Sequence, residues 1–213
     1  MKKHIVCFGD SNTHGYCADC RDCQDGGNRF NEQERWTCLL QAALGQDYLV
    51  IEEGLGGRTT VFSDPLHEGM DALGVAYPIL MSHKPVDLLI IMLGTNDTKE
   101  RFSANAAAIA AGMERLIKKC KDTECWGKDG PNILVVCPPP LGDGFHDAVM
   151  GAGCVEKSKA LSSYMKAVAE RNHVHFIDAR DCEFNAVDFT HLTRKGHAQL
   201  AEILSEAVPG LLR

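Results

Sequence analysis

Ser11 stands where an apolar run stops: Ile5-Val6-Cys7-Phe8 leads into Gly9-Asp10-Ser11, and small or polar residues follow. A serine hydroxyl attacks a carbonyl only when a base takes its proton, so Ser11 points to chemistry only with a partner. On local sequence it reads first as an ordinary helix N-cap. Of the nine histidines, His4, His173, His175 and His197 fall in or beside regular elements and read as structural. His191 differs, because Asp188-Phe189-Thr190-His191 lies after the last apolar run and before the last helical pattern. A carboxylate in the same tight turn would orient the imidazole and stabilise its cation. Helix capping by Thr190 or Thr193 accounts for the spacing equally well.

Two further segments offer donors. Asn96, in Gly94-Thr95-Asn96-Asp97, follows the most apolar run of the chain. Its amide suits a developing oxyanion, or else an Asx turn. Gly54, Gly56 and Gly57 sit in Glu-Glu-Gly-Leu-Gly-Gly-Arg-Thr-Thr, and glycine lets backbone N–H groups come close to a ligand. The G-x-S-x-G elbow is absent at Ser11. Neither a G-x-G-x-x-G fingerprint nor a phosphate-binding G-x-x-x-x-G-K-[ST] loop occurs.

The elements that would carry these residues alternate. Ile5–Phe8, Tyr48–Glu52, Asp87–Leu93, Ile133–Cys137 and Val174–Ile177 are short runs rich in β-branched residues, as expected of strands covered on both faces. Amphipathic patterns near 34–44, 68–82, 103–120, 156–171 and 193–207 separate them. Five strands alternating with helices predict a parallel sheet in a three-layer α/β/α sandwich, flavodoxin-like in outline, over one domain spanning 1–213. Open parallel sheets bind ligands beyond the carboxyl ends of their strands, which is where all the candidate residues fall.

Composition narrows the partners. With 22 Lys and Arg against 29 Asp and Glu, the net charge is −7, and no basic run suggests nucleic acid or an anionic membrane. No apolar stretch approaches the length of a membrane span or of a signal-peptide core, so a cytoplasmic protein with free thiols is expected among its ten cysteines. Cys17, Cys20 and Cys23 form overlapping C-x-x-C pairs without the second paired element a structural zinc site uses. A thiol-rich exposed loop is the expectation for 17–36, a polar insertion set apart from the core. In 138–154, Phe145, Val149 and Met150 are candidates for an apolar lid, an oligomer surface or an exposed loop.

Taken together, and in this order along the chain, the blocks resemble the SGNH hydrolases, also called GDSL esterases: Gly9-Asp10-Ser11, the segment around Gly54–Gly57, Gly94-Thr95-Asn96-Asp97, and Asp188-Phe189-Thr190-His191. "CFGDS", "ERWT", "VIEEGLGGRTT", "DLLIIMLGTNDTK" and "VCPPPL" are similar to the arylesterase and acyltransferase branch. The resemblance implies a serine esterase for short acyl, above all acetyl, esters of small molecules, carbohydrate O-acetyl esters among them. It implies Ser11 as nucleophile, His191 as base and Asp188 as its orienting acid. The Ser11 N–H, the Gly57 N–H and the Asn96 amide would form the oxyanion hole, with no metal or organic cofactor required. Acyl transfer to alcohols and a homo-oligomeric state follow by analogy with that branch. Asn12, Tyr16, Thr95 and Thr190 are pocket-wall candidates by adjacency alone, while Asp10 and Asp97 read as structural. Gly56-Gly57 replaces small non-glycine residues of the branch, and Asn12 and Tyr16 replace bulkier apolar ones. The rival reading is a non-catalytic flavodoxin-like protein that binds a nucleotide or flavin with the same loops.

Overall fold

The computed structural model describes residues 2–212. Five parallel strands, β1 (Lys3–Gly9), β2 (Tyr48–Gly54), β3 (Leu88–Met92), β4 (Ile133–Cys137) and β5 (His175–Asp178), pair in the order β2-β1-β3-β4-β5. The expected strands are all present, and the order, which periodicity does not encode, is the doubly wound 2-1-3-4-5 arrangement. β2 lies on one side of β1 and β3 on the other, so the connections diverge between β1 and β3, the switch point at which open parallel sheets bind their ligands.

Side-chain alternation makes the layers. Val6, Phe8, Leu89, Ile91, Ile133 and Val135 face one side, packing against α3 (Ala72–Ser82), α4 (Ala106–Lys121) and α5 (Cys154–Arg171). Ile5, Cys7, Leu88, Ile90, Leu134 and Val136 face the other, packing against α2 (Trp36–Leu44) and α6 (Arg194–Leu211). Neighbouring residues of a strand point to opposite faces, and both faces are covered, which is why the strands read as continuous apolar runs. The three-layer sandwich is as expected. Among the described residues no helix is long and apolar enough to cross a membrane.

Two segments depart from expectation. The 17–36 insertion is not set apart from the core: Cys17, Cys23 and Phe30 form a small buried cluster, Cys20 alone of the three cysteines is exposed, and Glu34, Arg35 and Trp36 are buried. The polar composition conceals this because the charges are internally matched. Arg35 grips Glu52 with two bonds, Nε to Oε2 at 2.7 Å and Nη2 to Oε1 at 2.9 Å, fastening the start of α2 to β2. Glu34 accepts from the Gln24 and Asn31 backbone N–H groups. The second departure is at Ser11, which is not an N-cap. It is the first residue of a single helical turn, α1 (Ser11–His14), and Asp10 is the cap, its carboxylate accepting the Asn12 N–H at 3.0 Å.

Candidate active site

Ser11 leaves β1 on a turn held from three sides. Asp10 caps it, Gly15 closes it in the left-handed region at φ 85°, and Gly54 lets β2 end against it. A side chain at Gly54 would put Cβ within 2.2 Å of the His14 backbone nitrogen, so only glycine allows this approach. The turn is thereby fixed with the Ser11 hydroxyl at the carboxyl edge of the sheet.

His191 arrives from the far end of the sheet, after β5, in a turn built by side-chain to backbone bonds. Asp188 Oδ1 accepts the N–H groups of Thr190 (3.0 Å) and His191 (3.1 Å), and Asn185 Oδ1 accepts those of Val187 and Asp188. Asn185 Nδ2 also donates to the His191 carbonyl at 2.8 Å. Phe189 occupies the left-handed region at φ 55°, a strained conformation for an aromatic residue. Its ring lies against Gly142 and Gly144, where any Cβ would come within 3 Å of it.

The two turns meet. Asp188 Oδ2 lies 2.6 Å from His191 Nδ1, and His191 Nε2 lies 2.8 Å from Ser11 Oγ. An ionised carboxylate only accepts, so Nδ1 carries the ring proton and Nε2 presents its lone pair to the Ser11 hydroxyl. Burial pushes the Asp188 carboxyl up, but the hydrogen bond and charge of His191 outweigh it and bring the pKa to about 2. Asp188 therefore stays ionised throughout the neutral range. The Tyr16 ring packs against the His191 imidazole at 4.6 Å between centroids, tilted by 58°. Thr193, considered above as a cap competing for this region, does cap α6 through the Gly196 N–H, five residues beyond Asp188 and without displacing it.

The three expected oxyanion donors have these surroundings. Among the described residues, no protein acceptor takes the backbone N–H of Ser11 or of Gly57. Gly57 sits at φ 89°, and a Cβ on Gly56 would stand 3.8 Å from that of Ser11, so this loop passes close to the Ser11 side chain. Asn96 Nδ2 donates to the Arg58 carbonyl at 3.2 Å, while its contact to Asp10 Oδ2 is long at 3.4 Å. One amide proton thus holds the side chain and the other is weakly engaged.

Below the donors lies a buried polar layer in which sequence reading assigned no part to Arg58 or Thr60. Arg58 Nη1 donates to the carbonyls of Gly9 and Glu53, joining the ends of β1 and β2, and its guanidinium stacks over Phe8 at 4.7 Å. Asp97 Oδ1 accepts from the Thr60 N–H (2.9 Å) and hydroxyl (2.5 Å). Asp10 and Asp97 thus both accept backbone N–H groups of the surrounding loops, and burial pushes each up to about 6. The available signal was the Arg58-Thr59-Thr60 tail of the glycine block. A buried Arg needs carbonyls or carboxylates, but their positions were not visible in sequence.

Of the four pocket-wall candidates, Tyr16 has substantial exposed surface, 37%. Asn12, Thr95 and Thr190 are buried. The Asn12 oxygen accepts the Leu192 N–H, and the Thr190 hydroxyl donates to the Asp188 carbonyl. In 138–154, Val149 is exposed, Phe145 and Met150 are half-buried, and Arg101 Nη2 donates to the Val149 carbonyl. Among the described residues no three His, Cys, Asp or Glu side chains are grouped to hold a metal ion.

The model of the GDSL-like lipase/acylhydrolase family matches residues 7–199. The chain belongs to this family. As a GDSL-like acylhydrolase it shares its fold with solved esterases over its whole length. The M. smegmatis aryl esterase is 36% identical, with 99% of this chain and 100% of that chain covered and a TM-score of 0.89. A carbohydrate acetylesterase from Sinorhizobium meliloti is also 36% identical over 99% and 100% of the two chains, with a TM-score of 0.87. An acetylxylan esterase of Xylanibacter ruminicola is 24% identical across 96% of this chain and 42% of its own length. The Bacillus subtilis protein named uncharacterized lipoprotein YqeF is 30% identical over 54% of this chain and 37% of its own. This chain therefore spans about two fifths of the curated relatives it matches.

Proposed function

We propose that this GDSL-like acylhydrolase is a serine esterase for short-chain acyl esters, with acetyl esters the preferred class. The observation that carries the reading is the continuous relay from Asp188 through His191 to Ser11, at 2.6 and 2.8 Å, beside free N–H groups on Ser11 and Gly57 and the Asn96 amide. Ser11 Oγ attacks the ester carbonyl as His191 Nε2 takes its proton, and the carbonyl π electrons move onto oxygen. The three donors hold that oxyanion, each worth roughly 10²–10³ in rate. Collapse expels the alcohol, protonated by His191, and leaves an acyl-Ser11 ester. Water, activated by the same imidazole, then releases the acid and restores Ser11. Where another alcohol replaces water, the product is a new ester, which is the acyl transfer expected by analogy.

Acetyl preference rests on the printed names of two relatives, a carbohydrate acetylesterase and an acetylxylan esterase. A rival ligand-binding role would leave the Ser11–His191–Asp188 geometry without a purpose. The test is a panel of p-nitrophenyl acetate, butyrate and octanoate, acetylated xylo-oligosaccharide, and Ser11→Ala as control. Fastest turnover on an acetyl ester, abolished in a folded Ser11→Ala, is expected. Equal turnover by wild type and Ser11→Ala would overturn the esterase reading, and a preference for octanoate would overturn the acetyl class.

A further inference from the structure

The letters G-D-S-L in the family's description end on leucine, whereas the fourth residue here is Asn12. Asn12 is 2% exposed, and three of its polar groups are engaged. Its N–H donates to Asp10 Oδ1 at 3.0 Å, its carbonyl accepts from Trp36 Nε1 at 3.1 Å, and its side-chain Oδ1 accepts the Leu192 N–H at 2.9 Å. The last bond spans 180 positions of sequence and joins the residue after Ser11 to the residue after His191. It forms a second rung beside the Ser11–His191 contact. We propose that Asn12 is a positioning residue of this chain, setting the distance between the turn that carries the nucleophile and the turn that carries the base. This rests on the proposed esterase function.

Leucine could not make this rung. Its side chain has no acceptor, and the Leu192 N–H, in a residue 1% exposed, would lose its partner. The His191 turn is braced from within by Asp188 and Asn185, and from the 138–154 loop by the Gly142 N–H, which donates to the Phe189 carbonyl at 2.9 Å. None of these bonds reaches the Ser11 turn, to which, among the described residues, the Ser11–His191 and Asn12–Leu192 hydrogen bonds and the Tyr16–His191 ring contact tie it. The Ser11 turn is separately fixed by Asp10 and by Trp36. Two rigid turns with a loose spacing would spend less time with Ser11 Oγ within reach of Nε2, and a displacement near 1 Å is enough to lower a rate roughly 100-fold.

The test compares wild type with Asn12→Leu, Asn12→Ala and Asn12→Asp, the last retaining an acceptor of the same shape. Turnover of p-nitrophenyl acetate is split into kcat and KM, Ser11 inactivation by a fluorophosphonate is timed, and hydrogen exchange is followed at the Leu192 amide. In Asn12→Leu and Asn12→Ala, kcat and inactivation rate should both fall roughly 10–100-fold, with KM within about threefold and faster exchange at Leu192. Asn12→Asp should recover most of the exchange protection and of kcat. An Asn12→Leu enzyme with wild-type kcat, or one changed in KM alone, overturns the positioning role. Unchanged Leu192 exchange overturns the rung itself. A wild type unlabelled at Ser11 overturns the esterase reading, and the positioning role with it, an outcome distinct from a labelled wild type and an unaffected variant.

Discussion

Replacing Asp188 by asparagine should disable the site without dismantling it. Asp188 Oδ1 accepts two backbone N–H groups, from Thr190 and His191, and an asparagine can satisfy both only with its carbonyl oxygen on that side. Its NH₂ is then forced towards His191 Nδ1, where the carboxylate oxygen stood at 2.6 Å. Two donors cannot face one another, so the imidazole must move its proton to Nε2. That nitrogen now donates to Ser11 Oγ across the 2.8 Å contact, instead of accepting from it. The base is lost while every backbone bond of the turn survives. The same exchange in a chymotrypsin-type triad costs roughly 10⁴ in kcat, equivalent to about 5 kcal/mol at 1.4 kcal/mol per tenfold. For Asp188→Asn we expect a fall in kcat on p-nitrophenyl acetate of roughly 10³–10⁴, a KM within a few-fold, and a melting temperature close to wild type. Asp188→Ala, which removes both backbone bonds, should lose stability as well. Retention of more than about a tenth of wild-type kcat by Asp188→Asn would refute the tautomer argument, because the wrong tautomer has no route to deprotonate Ser11.

Three further outcomes follow from the surroundings of the site. Asn96→Ala should lower kcat by roughly 10²–10³ with little change in KM, as read by steady-state kinetics, since one donor is gone and the Ser11 and Gly57 N–H groups remain. Gly54→Ala should be destabilised by roughly 3 kcal/mol or more, measured by urea unfolding, because the added Cβ would meet three backbone atoms of Thr13 and His14 at 2.2 to 2.7 Å. Asp97 is held by burial at about 6, above its ordinary 3.8. Between about pH 4 and pH 6 the folded protein therefore keeps a proton that the unfolded chain has lost, and this group's contribution to stability falls as pH rises through that window. Wild type should lose stability relative to Asp97→Asn by up to about 1.4 kcal/mol per pH unit there, and parallel pH curves for the two would contradict the assignment.

Much of the fold was legible because a doubly covered parallel strand leaves a strong signal. Leu88–Met92 and Ile133–Cys137 are buried along their whole length, and their apolar runs say so. Strand order was not legible, since β3 would look the same next to β1 or β5. The 17–36 segment misled because ion pairs such as Arg35–Glu52 let charged residues lie inside while keeping a polar composition. At the site, Ser11, His191 and Asp188 were identifiable by residue type and order, and the structure brings them into hydrogen-bonding range. The bond that Asn12 makes was not legible, because its partner, the Leu192 N–H, is a backbone group that no residue type announces. The same is true of Arg58, whose partners are carbonyls of Gly9 and Glu53.

The central claim is a covalent one, that Ser11 carries the acyl group. Intact-mass and peptide-mapping analysis of the protein treated with a fluorophosphonate, and of the protein quenched during p-nitrophenyl acetate turnover, addresses it directly. The account predicts one adduct per chain on Ser11, an acetyl group on the same residue in the quenched sample, and activity lost in proportion to labelling. An adduct on another residue, or full turnover in protein whose Ser11 is completely labelled, would contradict it.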